Sequence, residues 1–260
     1  MPGKFALSIV SRMPGFLRSP VIKLLRRRLG PEYQLNAADF QGLRVLILGP
    51  ARTVGEDLAC LDPARFDVFV RLNNGLDMPI PALGQAARRC DVLFHSLTSD
   101  TRPVTAAALE AAGVQVLVHR TPTKGAFLHT LIAARCFPRQ ALRHIPWERY
   151  RDLQRELGGA SPTSGLICAD FFLRAPVQEL AIVGFTFFTT CYNVGYEAEL
   201  GTDDEARQRV AGIGHHDPAR EALLLADLVD AARGRGCQVV LGEQVEAAMA
   251  RLRAEVDVGR

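Results

Sequence analysis

Short apolar runs alternate with helical patterns along most of this chain. The first run, residues 45–48, stops at Gly49, as a buried strand of a parallel sheet does where it opens into a glycine-containing loop. Strands are predicted at 43–48, 67–72, 91–95, 114–118, 180–184 and 237–241, and helices at 104–112, 125–136, 163–174, 218–233 and 243–253. This alternation predicts an α/β fold, a three-layer sandwich with a mostly parallel central sheet.

The chain is long enough and apolar enough to bury a full core. It has 260 residues, of which 48% are hydrophobic, and its net charge is +3. Residues 1–30 hold seven of the 31 Lys and Arg residues and no acid, which leaves 24 bases against 28 acids, a charge of −4, for the rest. We therefore expect a basic extension over 1–35 and a single α/β domain over 36–260, with no nucleic acid as partner.

The basic extension is also amphipathic. Apolar residues over 5–25 interleave with its bases, and Pro14 and Pro20 divide it into short pieces. Such a segment either inserts an apolar face among anionic lipid headgroups or packs on the body with its arginines solvated. The same pattern suits both, so an anionic membrane surface is one of two alternatives.

The cysteines indicate a reducing compartment. All six are scattered, with no Cys-x-x-Cys pair and no histidine at metal-ligand spacing. No run approaches the roughly 18 apolar residues that cross a membrane, and the first thirty residues lack a signal-peptide core. We expect a cytoplasmic protein, peripheral on the inner face of the membrane if the extension binds lipid.

The stretch 120–160 fits the alternation poorly. It contains three prolines, many arginines and the single tryptophan, Trp147. A long irregular segment beside a ligand site is often a substrate-binding lid, so an acceptor-site insertion is one prediction. A helical hairpin packed on the outside is the other.

Polar residues gather at predicted strand ends, where parallel sheets bind ligands. Gly49 and Gly55 do not complete the dinucleotide fingerprint, because Ala51 occupies its second glycine position. The loop therefore predicts either a general nucleotide site or an ordinary turn. After the next strand, Arg71 is suited to hold an acid and Asn73 to read a base or ribose, although Asn-Asn-Gly is also a routine turn.

Two predicted helix starts add to these positions. Residues 163–165 precede an apolar helix, and a hydroxyl cap, a glycine and a helix N-terminus form either an anion site or a simple cap. His215 and His216 lie just before the helix at 218–233. The positive end of that helix favours the neutral imidazole that a general base requires.

Taken in order, these segments resemble the L, S and VS sialylmotifs of the sialyltransferases, glycosyltransferase family 29. The long motif is similar to residues 45–95, and the short motif to 161–166 followed by 179–185. The last motif, His-x4-Glu, matches His216 and Glu221. The resemblance covers about 180 residues, and it implies a Rossmann-like fold of the GT-A-variant type.

The chain departs from the family pattern at three places. Pro50 stands where the family usually has an asparagine after the loop glycine. Val177 stands where the second cysteine of a bridged pair is expected, as suits a cytoplasmic, bacterial-looking protein. The third motif has only an echo in residues 191–197, without its phosphate-contacting histidine, so His215 or Tyr192 is predicted to substitute.

The resemblance implies an inverting, metal-independent transferase that moves a sialic acid-type 2-keto sugar acid from its CMP-activated form to a glycan or glycolipid hydroxyl. His216 would be the general base, and Glu221 would position its loop. The implied donor-binding residues are Gly49, Ala51, Arg52, Asn73, Thr163, Ser164, Gly165 and His215. No metal or other cofactor is implied, and Asp203 with Asp204 is better interpreted as a helix cap and first turn than as a metal site.

Other functions stay open at this point. The same chemistry with CMP-Kdo as donor suits the motifs as well, because both donors share the carboxylate and the phosphate bond. A non-catalytic nucleotide-binding, Rossmann-like protein is compatible with Pro50 and the weak third motif. A Rossmann-type oxidoreductase has less support, because the second glycine and the acid after the second strand are missing.

Overall fold

The computed structural model describes residues 4–98, 101–120, 123–196, 202–203 and 216–258. Its strands form one sheet in the order β5-β4-β3-β2-β1-β6-β7, and every neighbouring pair is parallel. The strands are β1 (Arg44–Leu48), β2 (Val68–Leu72), β3 (Val92–His95), β4 (Val116–His119), β5 (Ala141–His144), β6 (Glu179–Val183) and β7 (Gln238–Leu241). The predicted parallel α/β sandwich is confirmed.

Helices cover both faces of this sheet. They are α1 (Lys4–Arg12), α2 (Gly15–Tyr33), α3 (Val54–Leu58), α4 (Ala106–Ala111), α5 (Phe127–Cys136), α6 (Trp147–Glu156), α7 (Ser164–Arg174), α8 (Pro218–Gly234) and α9 (Glu243–Val258). Alternate residues of β1 point to opposite layers, because successive side chains of a strand do so. Val45 and Ile47 join the core that contains α7 and α8, and Leu46 and Leu48 join the core that contains α3.

The strand order reverses beside β1, which pairs with β2 on one side and with β6 on the other. At this switch point the chains leaving β1 and β6 pass very close together. A Cβ added to Gly49 would lie 2.2 Å from the backbone oxygen of Gly184, so no larger residue fits there. The close passage shapes a crevice beyond the carboxyl ends of the two strands.

The irregular insertion predicted over 120–160 is instead a regular part of the fold. It forms α5, the edge strand β5 and α6, and β5 pairs in parallel with β4. Only alternate residues of β5, Leu142 and His144, are buried, which gives the strand no continuous apolar run. A role for this segment at an acceptor site stays a prediction.

The N-terminal helices α1 and α2 pack against α5. Four of their side chains are buried in one apolar cluster with α5 and the β3–β4 strands: Leu7, Val10, Ile22 and Tyr33. Other apolar side chains of α2 face outward, and Phe16 is 77% exposed. Packing on the body therefore accounts for one face of α2 only. None of the described helices is both long and apolar enough to cross a membrane.

Candidate functional site

A cavity of about 630 Å³ opens at the carboxyl ends of the strands. Its wall takes residues from the loops after β1, β2, β3, β4 and β6, and from the starts of α7 and α8. Among these residues are Pro50, Ala51, Asn73, Asn74, Ser96, Arg120, Thr163, Ser164, Gly165, His216 and Glu221, together with 184–188. The cavity therefore occupies the crevice at the switch point, where open parallel sheets bind their ligands.

Several wall residues have unusual backbone conformations. Asn73, Phe187 and Phe188 have φ angles of 44°, 49° and 62°, in the left-handed region that side chains rarely adopt. Such strain persists only where the surroundings impose it, and it is concentrated at functional sites. Three such residues around one cavity indicate that the wall is shaped for a ligand.

His216 lies in the cavity with its ring orientation fixed. Its Nδ1 is 2.6 Å from the backbone oxygen of Ser161, and its ring stacks on Phe188 with centroids 6.2 Å apart. Because a carbonyl oxygen only accepts, Nδ1 carries the proton of this bond. When the imidazole is neutral, its lone pair is therefore on Nε2, which is the arrangement of a proton-accepting histidine.

Glu221 is buried at the start of α8 and contacts the start of α7. Its two carboxylate oxygens accept hydrogen bonds from the backbone N–H of Thr163 at 2.7 Å and from the Thr163 hydroxyl at 2.6 Å. Burial raises the pKa of Glu221 to about 7, although the two bonds from Thr163 oppose the shift. Thr163 in turn caps α7 by accepting from the N–H of Leu166 at 3.1 Å.

The N-terminus of α7 borders the same cavity. Unpaired backbone N–H groups of a first helical turn, together with the helix dipole, attract anions. Asn73 connects this turn to the strand loops: its Nδ2 donates to the Ser164 hydroxyl at 3.3 Å, and its Oδ1 accepts from the N–H of Ser96 at 3.1 Å. Gly165 is required by packing, since a Cβ there would lie 2.8 Å from the ring of Phe185.

Some predicted site residues lie elsewhere. Gly49 is not part of the cavity wall; it allows the close passage of Gly184. Arg52 is not part of the wall either; its side chain is 55% exposed and pairs with Asp203 at 2.7 Å. The other carboxylate oxygen of Asp203 accepts from the N–H of Cys191 at 2.7 Å. His215 and Asp204 lie outside the described residues.

Arg71 does not hold an acid, and this prediction is wrong. Its side chain is fully buried and donates to four backbone oxygens at 2.6–2.9 Å: those of Gly75, Met78, Ala87 and Arg89. Burial lowers its pKa. Arg71 therefore fixes the loop after β2, and its guanidinium is not available to a ligand.

The sequence reasoning missed other wall residues. Arg120 follows β4 directly and Tyr150 lies on α6, both inside the segment interpreted as an insertion. Tyr192, predicted as a substitute phosphate contact, lines the cavity beside Tyr196, with ring centroids 4.8 Å apart. Polar residues that directly follow a parallel strand tend to face the ligand. Arg120 fits this rule because β4 ends at His119, one residue beyond the predicted strand.

Within the part of the chain that the structure describes, no three His, Cys, Asp or Glu side chains form a metal-binding cluster. Two described acids at or near the cavity already have partners: Glu221 accepts from Thr163, and Asp203 from Arg52 and Cys191. The polar wall consists mainly of hydroxyls, amides and backbone N–H groups. Such a site is suited to anions and sugar hydroxyls.

Comparison with known proteins reveals structural similarity without sequence similarity. No protein-family model matches the chain, and no curated protein sequence matches it. The sialyltransferase CstII from Campylobacter jejuni, in complex with the substrate analogue cytidine-5′-monophosphate, is 14% identical, with a TM-score of 0.52 over 77% of this chain and 80% of that chain. A mammalian sialyltransferase in complex with Gal-β-1-3GalNAc-ortho-nitrophenol is 15% identical, with a TM-score of 0.51 over 91% and 84%. This chain has the fold of the sialyltransferases.

Proposed function

We propose that the protein is an inverting, metal-independent glycosyltransferase. It moves a sialic acid-type 2-keto sugar acid from its CMP-activated form to a hydroxyl of a glycan or glycolipid. The observation that carries the proposal is His216, whose Nδ1 is bound to the Ser161 oxygen inside the cavity of a sialyltransferase-like fold. The long, short and last motifs all contribute residues to that cavity.

The nucleotide would occupy the crevice between β1 and β6. Ala51 follows β1, residues 184–188 follow β6, and the α7 N-terminus lies opposite. The N–H groups of Ala51 and Gly184 already donate to the Gly184 oxygen and to Asp57, so the first turn of α7 would supply the backbone donors for the phosphate. Tyr192 and Tyr196 add phenolic hydroxyls, which are hydrogen-bond donors for a phosphate. These groups would stabilise the negative charge that develops on the leaving CMP phosphate.

Nε2 of His216 would remove the proton from the acceptor hydroxyl. The acceptor oxygen then bonds to the anomeric carbon while the bond from that carbon to the CMP phosphate oxygen breaks, and CMP leaves with the electron pair. Attack on the face opposite CMP inverts the anomeric configuration. Glu221 is a positioning residue, because it holds Thr163 and with it the α7 N-terminus.

Titration of CMP with and without EDTA tests the donor site. We expect the same affinity in both, because the phosphate would be held by N–H and O–H donors; a divalent-metal requirement would contradict the mechanism. NAD in a parallel titration tests the oxidoreductase alternative. Hydrolysis of CMP-sialic acid and CMP-Kdo in the absence of acceptor compares the two donors, and hydrolysis of neither would favour a non-catalytic nucleotide-binding protein.

We also propose that α2 rests on an anionic membrane surface from the cytoplasmic side. Phe16, Leu17 and Leu24 are 77%, 49% and 54% exposed. At 3.6 residues per turn they fall within about 100° of one another, on the side of α2 away from buried Ile22. Bases without acids accompany them throughout residues 1–30, as in helices that lie at the surface of anionic membranes. Six free cysteines support a reducing compartment.

A further inference from the structure

One cation in the cavity wall, Arg120, and two exposed cations nearby in the sequence, Lys124 and Arg151, form no ion pair with a described carboxylate. Arg120 lines the cavity, and its Nε is buried without a hydrogen-bond partner. Lys124 and Arg151 contact the ring of Trp147, with Nζ 4.4 Å and Cζ 4.7 Å from the ring centroid. None of the three forms an ion pair with any described residue. We call Arg120, Lys124 and Arg151 the cationic rim.

The cationic rim lies at the carboxyl edge of the sheet, above β4 and β5. Arg120 comes directly after β4, and Lys124 begins the short 3-10 turn that precedes α5. Trp147 begins α6 just after β5, and Tyr150, one helical turn further, lines the cavity. The rim therefore extends from the cavity wall outward along the surface.

This end of the cavity is remote from the nucleotide crevice. β4 is separated from β1 by β2 and β3, which at about 4.8 Å per strand places the two strand ends roughly 14 Å apart. A nucleotide between β1 and β6 leaves the β4 end for another part of the substrates. The acceptor has to enter the same cavity to reach the base.

The donor carboxylate is a less suitable partner for the rim. It is a single charge, whereas the rim offers three. It is also attached to the anomeric carbon, which becomes positively charged as CMP leaves, so a tightly paired cation would oppose the stabilisation that the carboxylate gives. Cations that continue beyond the cavity without forming ion pairs match negative groups spaced along an acceptor chain.

We propose that the acceptor is an acidic glycan whose carboxylates or phosphates lie along the cationic rim. The inference rests on the proposed glycosyltransferase function. A charge-assisted hydrogen bond to half-buried Arg120 would strengthen binding of the acidic glycan by roughly 10- to 100-fold over a neutral one, and each ion pair to exposed Lys124 or Arg151 would add a factor of only about 5 or less. Salt weakens both by screening.

Binding of two glycans tests the inference directly. Trp147 is the only tryptophan, so intrinsic fluorescence reports on the rim. With CMP present, 3′-sialyllactose should bind at least tenfold more tightly than lactose, and the difference should shrink with added salt. The double variant Lys124→Gln/Arg151→Gln should lower this preference, and so should the single variant Arg120→Gln. Arg120→Lys should retain part of it. Calorimetry measures the glycan affinities of these variants. Arg253→Gln on α9, an exposed cation away from the cavity, is the matched control and should keep the preference.

Equal affinity for the two glycans, or rim variants that behave like Arg253→Gln, would overturn the acidic-acceptor inference. The proposed function has its own readout in the CMP titration and donor hydrolysis of the unaltered protein. Loss of those activities counts against the function. Intact donor hydrolysis without a preference for the acidic glycan counts against the acceptor class alone.

Discussion

Glu221 and Thr163 are joined by two hydrogen bonds, one to each carboxylate oxygen, at 2.7 and 2.6 Å. Thr163 is the N-cap of α7, and Glu221 lies in the first turn of α8. The pair therefore fixes two helix starts against each other at the cavity wall. One of them presents backbone N–H groups and the other follows His216.

Replacing Glu221 should impair stability and donor binding together. In Glu221→Ala the half-buried N–H and hydroxyl of Thr163 lose their acceptor, which costs at most about 1–3 kcal/mol, and the α7 N-terminus loses its support. Glu221→Gln keeps one acceptor oxygen and should lose less. Urea unfolding and CMP titration of both variants measure the effect. Unchanged CMP affinity in a folded Glu221→Ala protein would contradict the positioning role.

The two glycines that follow β1 should respond oppositely to alanine. Gly49→Ala places a Cβ 2.2 Å from the backbone oxygen of Gly184, so the β1 and β6 ends must separate and the protein should unfold readily or lose CMP binding. Gly55→Ala meets no atom within 4 Å and lies in α3, where alanine favours the helix by roughly 0.5–1 kcal/mol. Thermal unfolding compares them. Equal midpoints would show that the close passage is not required.

The sequence predicts the fold well where burial alone sets the pattern. β1 is a continuous apolar run with every residue after Arg44 buried, so it is recognised without knowledge of its neighbours. β5 is a short edge strand in which Leu142 and His144 alternate with half-buried residues, and proline follows it closely. Its identity as a strand depends on pairing with β4, which the sequence does not display.

The candidate site divides in the same way. His216, Glu221 and residues 163–165 were predicted because their spacing matches a motif, and they line the cavity. Arg71 was assigned an acid because its charge is visible in the sequence, whereas the four backbone oxygens around it exist only in the folded loop. Arg120 lies outside the motifs, so the sequence does not single it out. Its place in the wall follows from β4 ending beside the cavity.

Acid should destabilise the protein through His119. Burial lowers the pKa of His119 from 6.5 to about 3, with His129 and His144 adding to the shift. The folded state favours the neutral ring, so the contribution of His119 to stability is full above pH 6.5 and is lost as pH falls from 6.5 toward 3. His119→Asn removes this titration. Urea midpoints are measured for both proteins at pH 7 and pH 4.5. The variant should be less stable than the unaltered protein at pH 7, and the difference between their midpoints should be smaller at pH 4.5. An equal difference at both pH values would contradict the assignment.

The exposed face of α2 should control membrane binding. Phe16→Ser/Leu24→Ser removes two apolar side chains that insert among lipid headgroups, and binding to phosphatidylserine-containing vesicles should weaken by roughly tenfold or more while the unfolding midpoint is kept. Val194→Ser, at a residue 87% exposed elsewhere, is the control. Co-sedimentation with anionic and with neutral vesicles measures the membrane binding of each variant. Unchanged sedimentation of the double variant would restrict α2 to packing on the body.

Single-turnover transfer by His216→Ala, measured with CMP titration of the same protein, tests the central claim most directly. If Nε2 of His216 removes the acceptor proton, the variant should transfer the sugar about 10²–10⁴-fold more slowly, because general-base catalysis typically contributes that much. Its CMP affinity should stay within a few-fold of the unaltered protein, since the imidazole does not hold the nucleotide. A folded His216→Ala protein that binds CMP and transfers at the unaltered rate would contradict the mechanism.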